Sequence, residues 1–510
     1  MVNAEWQKLI QEKRAARDAG IPQEWRLPTS ILSKVAEDSQ ISAFDLLDEA
    51  AVLTRLEREI TEIASAQELV SKISSRELSS YDVCLAFCKR AAVAHQLTNS
   101  LTEIFFDKAL RRARWLDEYQ TREGKTIGPL HGLPITLKDM INVKGEFATM
   151  GFVSHLKHEP ATENSVIVDI LDAAGAVFYC KTNVPQTLFV SESYNNVFGL
   201  TLNPHRLCLS PGGSSSGEAA QIALRGSIMG IGSDIAGSVR VPALCVGAYG
   251  FKPTTNRIPW SKQAELIQKG WNGIFPTLGP LTHTPQDLNL FMKTVIQAQP
   301  WRHDHTAHSI PWQEVARKQK LTIGVWLEDP GFPVFPTQRR IMRDAVQKLR
   351  IAGHDNLAHK FLADAGEAPM PSLAHMNPAD YLDEDFVADL DEALSVSAAS
   401  LDYQEAWAQV WQNNKLDVVL SPACRGTAAR HGEFGPLFYS IPWNLLDVNS
   451  CSPRTLPVVI HADSLMTVPR ERYSLCIIDG APAGLQVIGW RFQDEHVLMA
   501  TEVIADALNR

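Results

Sequence analysis

Apolar side chains recur at helical spacing through residues 4 to 18 and 43 to 95, where the strict alternation of a strand is scarce. Inside the second stretch, DEAAVLTRLEREITE (residues 48–62) sets acids and bases three and four apart, the spacing of a solvated helix face. These early helices are expected to wrap the outside of the molecule. From residue 127 the pattern changes. Short apolar runs such as LPITLKD and AVFYCKT alternate with helical segments such as ENSVIVDILDAAG, which predicts an α/β body whose sheet is covered on both faces. A helix is expected over 218–224, with SVRVPALCVGAYG following the next turn, and late strands in KLTIGVW, DVVLSPA and AGLQVIGW.

Composition narrows the setting. A chain of 510 residues, 45% hydrophobic and 21% charged, can bury a large core, and a prior of about 150 residues per domain would allow three domains. No linker, low-complexity tract or 20–50-residue repeat divides it, so the expected organisation is an N-terminal helical segment (1–100) packing on one continuous α/β domain (101–510). A formal net charge of -10 gives no electrostatic footprint for nucleic acid. The first twenty residues lack an apolar signal region and no run of about 18 apolar residues occurs, so a cytoplasmic protein without a membrane span is expected. Eight cysteines scattered without paired spacing favour reduced thiols. Cys84 and Cys88, four apart on a predicted helix, could supply two metal ligands, but no second pair accompanies them. His303, His305 and His308 lie in the polar run RHDHTAHS and read as a solvated connection. Neither a metal nor a cofactor is expected.

Candidate chemistry gathers in GGSSSGEAAQIALRGSIMGIGSDIAGS, where two glycine-flanked serine clusters carry Ser214 and Ser238, and in GLPITLKDM upstream, which carries Lys138. A serine hydroxyl needs a base beside it and hydrogen-bond donors aimed at the developing oxyanion. Taken singly, each piece has a plainer meaning: Gly-Ser pairs mark turns, and a strand lysine is usually a surface ion pair. Other readings fail on the residues. GIGSDIAG lacks the third glycine of GxGxxG, no GxxxxGK[ST] occurs, and neither a GxSxG elbow nor the SxxK, SDN and KTG set is present.

Together, Lys138, GGSSSGE, the step from Ser214 to Ser238 and the following SVRVPA resemble the amidase signature family of serine hydrolases. LTNSLTEIFFDKAL, GPLHGLPITLKDMINVKG, GAVFYCKTNVPQT, YGFKPTTNRIP, GPLTHTPQDL, NLLD and APAGLQVIG extend the likeness, more narrowly to fungal acetamidase-type members. The resemblance implies a mixed twisted central sheet covered by helices on both faces. It also implies a triad of Lys138, a cis-peptide Ser214 and the nucleophile Ser238, with Leu188 lining the substrate site. On that reading Ile135, Leu137, Met140 and Ile141 bury Lys138 and lower its pKa from ~10.4, while alternation turns Asp139 the other way. The amides of Ile235, Ala236, Gly237 and Ser238 would stabilise the oxyanion, Asp234 and Arg240 would brace the turn, Ser215 would support it, and His131 would be structural.

Three departures bear on activity. Ser216 stands where the family usually has glycine, which would be strained at positive φ. After residue 354 a strand and helical segment of acetamidase-like relatives are missing, and a proline-bearing insert falls near 451–457. The expected substrate is a small-molecule amide, acetamide-like or aryl-acetamide by resemblance. An acyl transferase or specialised secondary-pathway amidase, a partner-bound tRNA-dependent amidotransferase subunit, and a non-catalytic binding protein on the same scaffold are the alternatives. A homodimer stays open.

Overall fold

The computed structural model describes residues 4–264, 273–358, 390–435, 437–452, 454–457 and 480–509. Its centre is an eleven-stranded mixed sheet. Strands β1 (Leu101–Ile104), β2 (Pro134–Lys138), β3 (Val177–Thr182), β4 (Met229–Asp234), β5 (Tyr249–Lys252) and β6 (Thr277–Thr282) build one half. Strands β7 (Thr322–Val325), β8 (Asp355–Ala358), β9 (Val418–Ser421), β10 (Ser450–Ser452), β11 (Arg454–Pro457), β12 (Pro482–Gly484) and β13 (Gln486–Ile488) follow. The order across the sheet is β1-β3-β2-β4-β6-β5-β10-β13-β9-β7-β8, with β11 and β12 apart as a two-stranded ribbon. Parallel pairing joins β3, β2 and β4 and again β8, β7 and β9. Antiparallel strands lie between the two groups. Every residue of β2, β4 and β6 is buried, as expected of central strands covered on both faces.

Helices form where the periodicity placed them, over Ala4–Ala19, Ala43–Ala50, Arg55–Thr61, Ala66–Ser74 and Ser80–Thr98. One of them does not wrap the outside. The helix Ser80–Thr98 is buried along most of its length, and its Arg90 spends its guanidinium on the Leu224 carbonyl and the Thr61 hydroxyl. Small side chains on several faces, Cys84, Ala86, Cys88, Ala91, Ala92 and Ala94, let neighbouring helices and the sheet close on it, an arrangement that one-faced periodicity does not reveal. The first helix meets the sheet edge, where Arg17 donates to the Leu101 carbonyl and Lys13 pairs with Glu103 at 2.5 Å.

The expected late strand AGLQVIGW divides at Leu485. Its first part, β12, pairs with β11, and its second, β13, enters the main sheet between β10 and β9. The sequence after residue 354 continues as β8 alongside β7. Residues 359–389, where the expected deletion falls, lie outside the described residues, as do 453 and 458–479 beside the expected insert.

Candidate active site

Parallel pairing of β2 with β4 matches Leu137 to Ile231, so Lys138 at the end of β2 comes alongside Ser233 near the end of β4. Lys138 is fully buried. Its Nζ donates to the Ser214 hydroxyl at 2.8 Å, to the Ser233 hydroxyl at 2.9 Å and to the Ser233 carbonyl at 3.3 Å. Burial pulls its pKa down to about 7, against the opposing pull of Asp234 and Glu218. Asp139 faces away, as alternation predicts, and accepts from Thr102 Oγ1, Thr149 Oγ1 and the Met150 amide. Behind the lysine, the Glu218 carboxyl is held by the Thr136 and Thr182 hydroxyls. Burial raises its pKa to about 8. Desolvation thus works towards the uncharged form of both groups.

The first serine turn owes its shape to close backbone approach. Gly212 has φ +74°, and the Gly213–Ser214 peptide is cis. A Cβ on Gly217 would fall 2.3 Å from the Asn183 amide nitrogen and 2.4 Å from the Ser100 carbonyl oxygen, so only glycine fits there. Ser216 does not meet the condition for strain raised by the sequence. It is absent from the positive-φ residues, opens the helix Ser216–Ala223 and donates its hydroxyl to the Asn183 carbonyl at 3.2 Å; a serine in helical backbone carries no left-handed strain. Ser215 links the turns, since its amide donates to the Ser238 carbonyl at 3.1 Å, while its own buried hydroxyl has no partner.

The second turn is built on charge. Asp234 and Arg240 are fully buried and pair through two contacts, Nη2 to Oδ1 at 2.9 Å and Nε to Oδ2 at 3.0 Å. The Asp234 carboxylate also accepts the amides of Gly237 at 2.9 Å, Val239 at 3.1 Å and Arg240 at 3.4 Å. One sequence expectation changes as a result. The Gly237 N–H points into the loop, which leaves Ile235, Ala236 and Ser238 as candidate oxyanion donors. Arg240 reaches on to the Ser440 carbonyl, Asn444 Oδ1 and Gln486 Oε1, Asn444 donates to Asp234 at 3.0 Å, and the Ser440 hydroxyl caps the Ala236 carbonyl.

Ser214, Ser233, Ile235, Ser238 and Leu188 line one cleft with an empty volume of about 480 Å³, open mouth included. Ala236 and Gly237 are not among its lining residues. Sequence reasoning missed Ser233, whose only signal was its register beside Lys138. It also missed Ser440, Asn444 and Gln486, which carry no local motif. His131 is buried and accepts the Ile127 amide at 3.1 Å, outside the cleft. His305 is solvent-exposed, whereas neighbouring Asp304 is buried and holds Ser261 and Thr306. Cys84 and Cys88 place their sulfurs 3.8 Å apart in the core. Among the described residues no group of three or more His, Cys, Asp or Glu side chains could hold a metal ion, and no helix is long and apolar enough to cross a membrane.

Comparison with known proteins places the chain among amidases. The Amidase family model matches residues 82–379. An amidase of Gibberella moniliformis is 60% identical over the full length of both chains. An acetamidase of Emericella nidulans is 36% identical, with 99% of this chain and 98% of the relative covered. A solved fatty acid amide hydrolase superposes with a TM-score of 0.89 at 33% identity, covering 99% of this chain and 96% of that one. Fold and relatives define an enzyme that hydrolyses amide bonds. The chain belongs to the amidase signature family.

Proposed function

We propose that the chain cleaves a linear carboxylic amide through an acyl-enzyme on Ser238, with Ser214 as proton relay and Lys138 as base. The observation that carries this reading is the 2.8 Å contact of a fully buried Lys138 Nζ with Ser214 Oγ, on the wall of the cleft that also holds Ser238. Neutral Lys138 takes the Ser214 proton as Ser214 takes that of Ser238, and the Ser238 oxygen attacks the carbonyl carbon. The amides of Ile235 and Ser238, both on the cleft lining, receive the oxyanion. As the C–N bond breaks, Ser214 protonates the leaving nitrogen and is reprotonated by the Lys138 ammonium. Water then gives a proton to Ser214 as Ser214 passes its own to neutral Lys138, the water oxygen attacks the acyl carbon, and Ser238 departs with a proton from Ser214, which the Lys138 ammonium replaces. One amide and one water yield one acid and one amine.

Intact-mass analysis after fluorophosphonate treatment, beside ammonia release from simple primary amides, tests this reading. One adduct is expected on the native chain and none on Ser238→Ala, whose ammonia release falls by about four orders of magnitude or more. An adduct that survives in Ser238→Ala, or ammonia release that does, overturns the assignment. Ammonia release also separates hydrolysis from acyl transfer to another nucleophile.

A further inference from the structure

The segment 186–194, between β3 and the first serine turn, has two working sides. On one, Thr187, Leu188 and Phe189 line the cleft. The other rests on the cis peptide: a Cβ on Gly213 would fall 2.3 Å from the Glu192 carbonyl oxygen, 2.7 Å from the Glu192 nitrogen and 2.8 Å from the Val190 carbonyl oxygen. Backbone thus lies directly against backbone, with Ser214 next in the chain. The segment is closed at its base, where the Gln186 amide donates to the Tyr194 carbonyl at 3.1 Å. Thr187 and Leu188 hold φ of +69° and +66°, and consecutive non-glycine residues keep such a conformation only where their surroundings fix it.

Glu192 ties this segment down from outside. Its Oε1 accepts the Gly432 amide at 3.1 Å, while its Oε2 is enclosed without a hydrogen-bond partner among the described residues. Burial raises this carboxyl to about 7, against hydrogen bonding from Ser210 and from the Gly432 and Phe434 amides. Enclosing such a group is unfavourable, and no step of amide cleavage set out above uses it. Its bond closes a ring. From Gly432 the chain runs back to Arg430, bridged to Leu209, and to Ala429, whose carbonyl accepts the Ser210 amide at 2.7 Å. The Ser210 hydroxyl accepts the Gly212 amide at 3.1 Å, and Gly212 leads into the peptide on which Glu192 lies. Without the carboxyl this ring opens between residues 192 and 432.

We propose that Glu192 is a positioning residue whose carboxyl, as acceptor for the Gly432 amide, holds the cleft wall at residues 187–189 in the place relative to Ser214 that substrate binding needs. The proposal deepens the amidase reading and rests on it. Two variants, assayed at about pH 8 where Lys138 is largely neutral, separate acceptor from bulk: Glu192→Gln keeps an oxygen at the same reach, and Glu192→Met keeps the length without one. Gly432 is exposed, so its freed amide turns to water and both variants are expected to fold. In butanamide hydrolysis Glu192→Met is expected to raise KM about tenfold, the scale of one lost hydrogen bond. Its kcat should stay within about threefold, because Lys138 and the Ser215 amide still hold the two serines. Glu192→Gln is expected within about twofold of the native chain in both constants. The same split is read in KI against kinact for the fluorophosphonate. A role in stability alone would lower the urea midpoint and leave KM of the folded enzyme where it was, which overturns the proposal. Glu192→Gln as impaired as Glu192→Met, or a loss confined to kcat, overturns it too. Each of these outcomes leaves the adduct on Ser238 in place, whereas a native chain that forms no adduct overturns the amidase reading and the positioning role together.

Discussion

The turn at residues 212–216 is shaped by what its glycines lack, the turn at residues 234–240 by what its partners supply. In the first, neighbouring backbone lies so close to Gly213 and Gly217 that no side chain fits, and the helix Ser216–Ala223 begins at once. In the second, a buried carboxylate gathers three amides and one guanidinium, and residues two hundred positions away close the shell. Steric exclusion tolerates no added atom, whereas an ionic shell tolerates no lost partner. The two turns therefore fail in opposite ways, although the bond from the Ser215 amide to the Ser238 carbonyl makes them one site.

The largest expected effect comes from removing a partner. Arg240→Leu leaves Asp234 buried without its cation, and loss of one member of such a pair costs about 3–5 kcal/mol. Urea denaturation should show a lower midpoint at unchanged slope, together with loss of amide hydrolysis as the Ser238 turn relaxes. A shift below about 1 kcal/mol with full activity would show that the turn does not depend on the pair. Next comes the added atom. In Gly217→Ala the new Cβ meets backbone at both Asn183 and Ser100 rather than a flexible side chain, so about 1–3 kcal/mol of overpacking is expected. Ser216→Gly, one residue earlier, should stay within about 1 kcal/mol of the native chain. If the two substitutions cost the same, close approach is not what fixes the first turn.

The same contrast explains what could be read from the sequence. Glycine and serine in GGSSSGE announce the first turn because its cause is local, and the apolar flanks of Lys138 announce a buried lysine because strand alternation is local too. Asp234 and Arg240 were legible as a brace, being six residues apart. Ser440, Asn444 and Gln486 were not, because hydrophobic periodicity places strands but does not say which lie side by side; β13 enters beside β9 and β10 only once the sheet is assembled. For the same reason AGLQVIGW read as one strand, although Leu485 divides it between two sheets. The burial of the helix Ser80–Thr98 was hidden because its small residues lie on several faces and leave no one-sided period, and the inward orientation of the Gly237 amide required the position of the Asp234 carboxylate. Periodicity thus gives elements and local turns; it does not give the distant contacts that aim them.

Acidity separates the two turns in function as well. Charge in the second is fixed: the Arg240 guanidinium beside Asp234 holds that carboxyl well below the usual carboxylate range, so it stays ionised wherever the enzyme is folded. Charge against the first is poised: Lys138, which reaches Ser214 from β2, is drawn down to about 7 by burial. The base must be neutral to accept the Ser214 proton, so activity requires deprotonated lysine and rises as pH climbs through the Lys138 pKa. kcat/KM, which reports the free enzyme, should fall about tenfold per pH unit below about 7 and level off above it. Glu218, raised to about 8, lies close enough to Lys138 for the observed midpoint to belong to the pair. Glu218→Gln removes that coupling: a carboxylate favours the lysine ammonium, so its loss would move the midpoint to lower pH, whereas loss of a neutral carboxyl would leave it in place. Because Glu218 works against the burial that lowers the Lys138 pKa, the first outcome is expected, and an unmoved midpoint would show that the carboxyl is neutral throughout. A profile flat from pH 5.5 to 8 would instead mean that Lys138 need not be neutral for catalysis, and the division of labour between the poised turn and the fixed one would fall.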